Sequence, residues 1–359
     1  MCGIFGIIAK ENCFSRKQLL GFTERIAKYS QVRGKDSSGI SFRFETNNTI
    51  TVLKGPFSID CLLTSKEYKL IKNEIIKENK PAGLGLFTAF GHARLVTNGT
   101  QLDENNNQPV IKDAIVGIHN GIIANDSELW AKHKYLSRDY EIDTEFYFAY
   151  VRYLVSEKKM SPSEACLLAN SEVSGTVSTA YLDTINNTFT IFSNFGSLYV
   201  LTDFKSLLIF GSERNILLQL VDRNKDLRKK KFAIKQVKPL TGYLIDMNRF
   251  VISFFDTKSM SNSNLELEAE KNKYSITVTS IKPLKEQLHA VIDPKKFSNG
   301  ALIKKEKKLL EYNLEKISNL RRCTKCVLPE TFPFIEFDSK GVCNYCNNYK
   351  LKNQPKPLS

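Results

Sequence analysis

Apolar positions along the chain follow two periods, and the order of those periods predicts the elements. Residues 3–9 are almost continuously apolar, with Ile4, Phe5, Ile7 and Ile8, which suits a buried strand. Over residues 16–30 the spacing becomes helical, with Leu19, Leu20, Phe22, Ile26 and Ala27 on one side and an end near Ser30. Strands are expected over 39–44 and 49–54, the second closed by Gly55-Pro56, then a helix over 65–78 and a strand from Leu86 to Arg94. The run 114–118 predicts another buried strand, interrupted by His119-Asn120-Gly121. Asn125-Asp126-Ser127 forms an N-cap cluster for a helix to about residue 134. Glu141-Ile142-Asp143-Thr144-Glu145 caps a further helix to about 156, and 161–170 predicts a third. From 176 the period returns to strands, over 176–184, 188–193, 197–202, 206–210, 231–237, 241–246 and 249–254, with a short helix starting near Ser212-Glu213. Strand runs with helices segregated between them define an α+β class rather than a regular βαβ alternation.

Past residue 256 the pattern fades. Ser259 to Lys273 is polar and charged, and residues 256–320 read as a linker. Within it, 303–319 carries Leu310, Leu314 and Ile317 at helical spacing, with Leu309 beside them. The 359 residues, 42% hydrophobic and 25% charged, are those of a globular chain with ample core material. The formal net charge is +14. No basic stripe interleaved with aromatics accompanies it, so nucleic acid is not the expected partner. No apolar run spans a membrane and no signal-peptide pattern opens the chain. Four of the eight cysteines are scattered and four form two close pairs, which points to a reducing cytoplasm with one metal site and a nucleophile rather than a disulfide framework.

The nucleophile is Cys2. Removal of Met1 would leave a thiol and a free α-amine on one residue, and an amine with a pKa of roughly 8 is suited to act as its base. Four more features follow in order: Arg33-Gly34-Lys35-Asp36-Ser37-Ser38-Gly39, then Gly91-His92-Ala93-Arg94-Leu95-Val96-Thr97-Asn98-Gly99, then His119-Asn120-Gly121-Ile122-Ile123, and Asp143-Thr144-Glu145. As a set they resemble the class II glutamine amidotransferases, the N-terminal-nucleophile (Ntn) glutaminase domains of asparagine synthetase and glucosamine-fructose-6-phosphate aminotransferase. The resemblance covers residues 2–255 and implies a four-layer αββα sandwich around two antiparallel sheets. It implies Cys2 as nucleophile, with an oxyanion hole from the Asn120 side chain and the Gly121 N–H. It places the L-glutamine α-carboxylate on Arg94 and its α-ammonium on Asp143. Leu95, Thr97 and Asn98 would line the same pocket, and Arg33 would position the N-terminal segment. His92 and His119 are expected to be structural. Leu95, Asn98 and Phe210-Gly211-Ser212-Glu213 lean toward the asparagine-synthetase style.

The second signal is Cys323-x2-Cys326-x16-Cys343-x2-Cys346 within residues 321–350, ahead of a tail over 351–359. Two CxxC pairs at this separation predict a four-cysteine zinc knuckle holding structural Zn2+. With Arg321-Arg322, Val327-Leu328-Pro329, Phe337-Asp338 and Gly341-Val342, the segment resembles the front of the N-acetyl sugar amidotransferases, ATP-using PP-loop enzymes of surface-polysaccharide biosynthesis. No Ser-Gly-Gly-x-Asp-Ser loop, Walker motif or Rossmann glycine set is present, so no ATP site is visible in this chain. The combined expectation is a cytoplasmic glutaminase subunit that feeds ammonia to an ATP-dependent PP-loop partner. Two other readings stand beside it: the glutaminase part of an asparagine-synthetase-like enzyme, and a non-catalytic zinc scaffold on a degenerate Ntn fold.

Overall fold

The structure is a computed structural model that describes residues 2–45, 47–77, 85–96, 99–230, 232–257, 274–281 and 314–349. By internal contacts the chain divides into two units, Met1–Lys282 and Pro283–Ser359.

The first unit is built on two sheets. The strands in chain order are β1 (Gly3–Lys10), β2 (Ser37–Phe44), β3 (Thr49–Gly55), β4 (Leu86–Arg94), β5 (Val110–Lys112), β6 (Ile115–Ile123), β7 (Gly175–Asp183), β8 (Thr188–Ser193), β9 (Tyr199–Thr202), β10 (Leu207–Gly211), β11 (Ala233–Gln236), β12 (Thr241–Asp246), β13 (Val251–Asp256) and β14 (Ser275–Ser280). One sheet has the order β11-β9-β10-β1-β4-β2-β3-β14 and the other β13-β12-β8-β7-β6-β5. The inner faces meet in one core. Ile4, Ile8, Phe90 and Phe210 from the first sheet pack with Val116, Ile118, Leu182, Phe189 and Ile245 from the second. Phe90 and Phe189 meet edge to face across the layers, ring centroids 5.1 Å apart.

The helices cover the outer faces. They are α1 (Arg16–Ser30), α2 (Ile59–Thr64), α3 (Lys66–Lys77), α4 (Asp126–Lys132), α5 (Thr144–Ser156), α6 (Pro162–Glu172), α7 (Arg214–Asp222) and α8 (Lys225–Lys229). α1 and α7 pack on the β1–β10 region of the first sheet, while α5 and α6 pack on the second. The buried face of α5, with Phe146, Tyr147, Tyr150 and Val151, joins Val177, Tyr181 and Leu244 in a second core. Local sequence starts two of these helices cleanly. Ser15 with Gln18, and Ser161 with Glu164, each close a capping box, and Pro162 adds a preset first helical turn. This is the expected α+β sandwich of two central sheets between helices.

Four expectations change. β6 is not interrupted by His119-Asn120-Gly121 but runs through them to Ile123, paired with β7 as far as Gly175. Asn and Gly have poor strand propensity, yet here pairing with β7 holds them in register. Asn125 precedes α4 without capping it. Its side chain instead ties Ser174 N and Glu172 O. Asp143 stands at the start of α5, again with no side-chain cap. Finally, Ser275–Ser280, inside the expected linker, forms β14 and pairs in parallel with β3. The residues between β13 and β14, including the polar stretch 259–273, lie outside the described residues, as does most of the helix expected over 303–319. Its end, α9 (Leu314–Ser318), is helical.

The second unit, as described, holds α9 and a small loop-rich segment with two isolated bridges, Arg322 with Pro329 and Phe337 with Cys343, and a further turn of helix, α10 (Asn344–Asn347). Phe332 packs edge to face on Tyr345 at 5.3 Å. Among the described residues no helix is long and apolar enough to cross a membrane.

Candidate active site

β1 carries Cys2 to the end of the first sheet, where β4 ends at Arg94 on the neighbouring strand. β6 brings His119, Asn120 and Gly121 along the second sheet, and the start of α5 brings Asp143 and Thr144. Cys2, Arg94, Gln108, His119, Gly121, Ile142, Asp143 and Thr144 together line one cleft.

The thiol of Cys2 donates to the Leu95 carbonyl at 3.4 Å. Burial pushes its pKa up from the ordinary value, while the Leu95 hydrogen bond, Arg94 and Arg33 pull it down. A thiol so placed rests protonated at neutral pH, so it would need a base to act as a nucleophile. Neither predicted histidine occupies that role. His92 is fully buried, and desolvation first, then Arg94 and His119, lower its pKa to about 3. The His119 ring contacts Thr144 Oγ1 at 3.0 Å and the Thr176 carbonyl at 3.2 Å.

Arg94 is 4% exposed. It donates through Nη1 to Asn107 Oδ1 and through Nη2 to the Gly99 carbonyl, both at 3.2 Å. Burial lowers its pKa and the nearby Cys2, Asp143 and Asp36 raise it. The guanidinium is thus oriented by neutral acceptors in a pocket that also holds a carboxylate, Asp143. Asp143 Oδ2 accepts from Ile123 N at 2.7 Å and Oδ1 from Thr144 Oγ1 at 3.3 Å. One fixed cation and one fixed anion in a single small cleft match the two charges of a free amino acid.

Asn120 is fully buried beside the cleft without lining it, and both its side-chain amide atoms lack a hydrogen-bond partner among the described residues. An unpaired buried amide is costly unless a ligand completes it. Gly121 is sterically required: a Cβ there would stand 1.7 Å from the Thr176 carbonyl oxygen and 2.6 Å from His119 Nε2. Arg33 lies behind Cys2, where its Nε donates to the Cys2 carbonyl at 2.8 Å and its guanidinium pairs with Glu213. Ser212, next to Glu213, exchanges hydrogen bonds with both main-chain groups of Ile4. Thr97 and Asn98 lie outside the described residues. Gln108, Ile142 and Thr144 line the cleft without having been expected as pocket residues. Thr144 adjoins Asp143 in a segment read as a helix cap, and Gln108 carries no local signal beyond a Gln-Pro step.

In the second unit the four predicted ligands converge. The sulfurs of Cys323, Cys326, Cys343 and Cys346 all lie within 4.8 Å of one another. Cys326 and Cys343 approach to 3.6 Å, and Cys323 and Cys346 to 3.9 Å. A tetrahedral thiolate site with metal–sulfur bonds of about 2.3 Å spaces its sulfurs roughly 3.8 Å apart. Main-chain N–H groups of Lys325, Cys326 and Cys343 point at Cys323 Sγ, and that of Cys346 at Cys343 Sγ. Such donors favour thiolates, so the donor set fits a divalent metal.

Residues 92–219 match the family model described as a glutamine amidotransferase domain. The chain is 29% identical over 199 residues to the glutamine–fructose-6-phosphate aminotransferase [isomerizing] of Wigglesworthia glossinidia brevipalpis, covering 55% of this chain and 29% of that one. It is 27% identical over 278 residues to the enzyme of the same name from Buchnera aphidicola subsp. Acyrthosiphon pisum, covering 76% and 41%. The chain therefore spans less than half the length of these curated relatives. In fold it is similar to the glutamine phosphoribosylpyrophosphate amidotransferase of B. subtilis, with a TM-score of 0.52, 17% identity, and coverage of 73% of this chain and 50% of that one. The match over residues 92–219 and the paired sheets agree: this part of the chain is similar to glutamine amidotransferase domains, and the two-sheet unit shares the fold of the B. subtilis amidotransferase.

Proposed function

We propose that the protein hydrolyses L-glutamine at Cys2 and delivers the ammonia to an ATP-dependent synthetase partner. One observation carries the reading: Cys2, Arg94, Gly121 and Asp143, distant in sequence, line one cleft that holds a fixed cation and a fixed anion. In the proposed reaction Arg94 binds the glutamine α-carboxylate and Asp143 its α-ammonium. The side-chain amide then lies toward Cys2. With Met1 removed, the α-amine of Cys2 takes the thiol proton as sulfur attacks the amide carbon. The Gly121 N–H and the Asn120 amide receive the oxyanion. Collapse returns the proton to the leaving nitrogen and releases ammonia, and water hydrolyses the γ-glutamyl thioester to glutamate. Arg33, anchored by Glu213, holds the carbonyl of Cys2 and so sets the angle of the nucleophile.

The four-cysteine segment supports a structural Zn2+ held by Cys323, Cys326, Cys343 and Cys346. The metal would supply a fixed cross-link and no chemistry at Cys2. Its resemblance to the front of N-acetyl sugar amidotransferases supports an acceptor in surface-sugar biosynthesis and a cytoplasmic setting. The test is ammonia release from glutamine by protein whose N-terminal Met has been removed. Cys2→Ala is expected to lower the rate at least about 10³-fold, and a Cys2→Ala protein of wild-type activity would overturn the reading.

A further inference from the structure

β5 accompanies β6 for a short distance, with Val110 opposite Gly117 and Lys112 opposite Ile115. In an antiparallel ladder alternate residues present their N–H and C=O to alternate edges. His119, two residues beyond Gly117, therefore faces the β5 edge, where the strand has given out. A side chain replaces it. Gln108 Oε1 accepts from His119 N at 2.6 Å, and Gln108 Nε2 donates to the His119 carbonyl at 3.1 Å. Ile123, four residues on, faces the same edge, and its N–H is held by Asp143. Gly121 lies midway between these two clamps. By the same alternation its N–H faces that edge, toward the cleft that Gln108 and Asp143 both line.

Gln108 is itself anchored. Lys54 on β3, 4% exposed, donates through Nζ to the carbonyls of Asn107 at 3.0 Å and Pro109 at 3.5 Å, on either side of it. Gly39 on β2 makes room for the loop, since a Cβ there would stand 2.2 Å from the Gln108 carbonyl oxygen. Asn107 also accepts from Arg94. One loop thus ties the guanidinium on one side of the cleft to the β6 main chain on the other.

We infer that Gln108 is a positioning residue for the oxyanion hole: its amide acts as a one-residue strand that fixes the β6 main chain so that the Gly121 N–H meets the transition state, with Lys54 holding the loop from below. The inference rests on the glutaminase reading. Fixed donors matter more to the transition state than to bound substrate, so their loss falls on kcat rather than KM. The experiment measures kcat and KM for glutamine in wild type, Gln108→Leu, Lys54→Met and the double variant. kcat is expressed per Cys2 labelled by 6-diazo-5-oxo-norleucine, which removes any contribution from unfolded protein. Gln108→Leu is expected to lower kcat per labelled site about 30-fold or more, with KM within about threefold. The double variant is expected to lose little beyond Gln108→Leu alone, because both act through one loop. If Gln108→Leu does not fold, Gln108→Met replaces it in each arm. A kcat per labelled site within threefold of wild type, a rise in KM matching the fall in kcat, or additive losses would overturn the inference. A wild-type protein that releases no ammonia would overturn the glutaminase reading itself, and this inference with it.

Discussion

His92 shows how a residue beside the candidate cleft can matter to stability rather than chemistry. Its ring is fully buried on β4, two positions before Arg94, and its pKa is lowered to about 3. In the unfolded chain a histidine takes up a proton near pH 6.5. Between roughly pH 6.5 and 3 the unfolded state therefore binds more protons, so His92's contribution is full above that window and is lost as pH falls through it. The expected slope is about 1.4 kcal/mol per pH unit. Urea unfolding at pH 7 and pH 5 should show His92→Leu losing less stability on acidification than wild type by about that amount per unit, and equal losses would refute the assignment. The same residue shows why a Gly-His-x-Arg string is ambiguous when read alone: burial, not proximity to Cys2, decides what an imidazole does.

β14 is the element whose position was least legible. Its residues follow a polar stretch and alternate Thr with apolar side chains, many of them exposed, so no buried face marks them as a strand. Pairing with β3 supplies the missing partner. Ser275 N donates to Asn48 O and Ile281 N to Lys54 O, which places the odd-numbered N–H groups toward β3. Thr277→Pro removes one of these ladder bonds and is expected to cost about 1–3 kcal/mol, lowering Tm by several degrees in a thermal melt. Val278→Pro, whose N–H faces away from β3, should cost less. Equal effects would mean that β14 does not hold this register. β6 teaches the complementary lesson. Asn120 and Gly121 look like a turn by local preference, and they stay extended because β7 on one edge and Gln108 and Asp143 on the other satisfy the strand.

The two contact units carry separate signals, and they should respond separately to metal loss. Elemental analysis of the purified chain is expected to give about one zinc per molecule. A strong chelator should expose Cys323, Cys326, Cys343 and Cys346 to a thiol reagent, because a small segment with little apolar core depends on its cross-link. Ammonia release is expected to stay within about twofold, since none of these four cysteines lies among the residues lining the cleft. A collapse of glutaminase activity on chelation would show that the metal segment supports the catalytic unit.

What could be read along the chain was whatever depends on neighbours in sequence. Apolar periods marked most strands and helices, Ser15-to-Gln18 and Ser161-to-Glu164 marked helix starts, and the CxxC spacing marked four sulfurs destined to meet. The ordered set Cys2, Arg94, Asn120-Gly121 and Asp143 carried the resemblance to a family on which the proposed chemistry rests. Tertiary structure alone decided which main-chain groups face the cleft and what holds them. Gln108 becomes a substitute strand only because β5 stops short, and Lys54 becomes an anchor only because β3 passes beneath the 107–109 loop. Asp143 leaves its helix start uncapped because Ile123 N lies within reach across the site. These roles are set by contacts between strands and loops distant in the chain, and no local pattern encodes them.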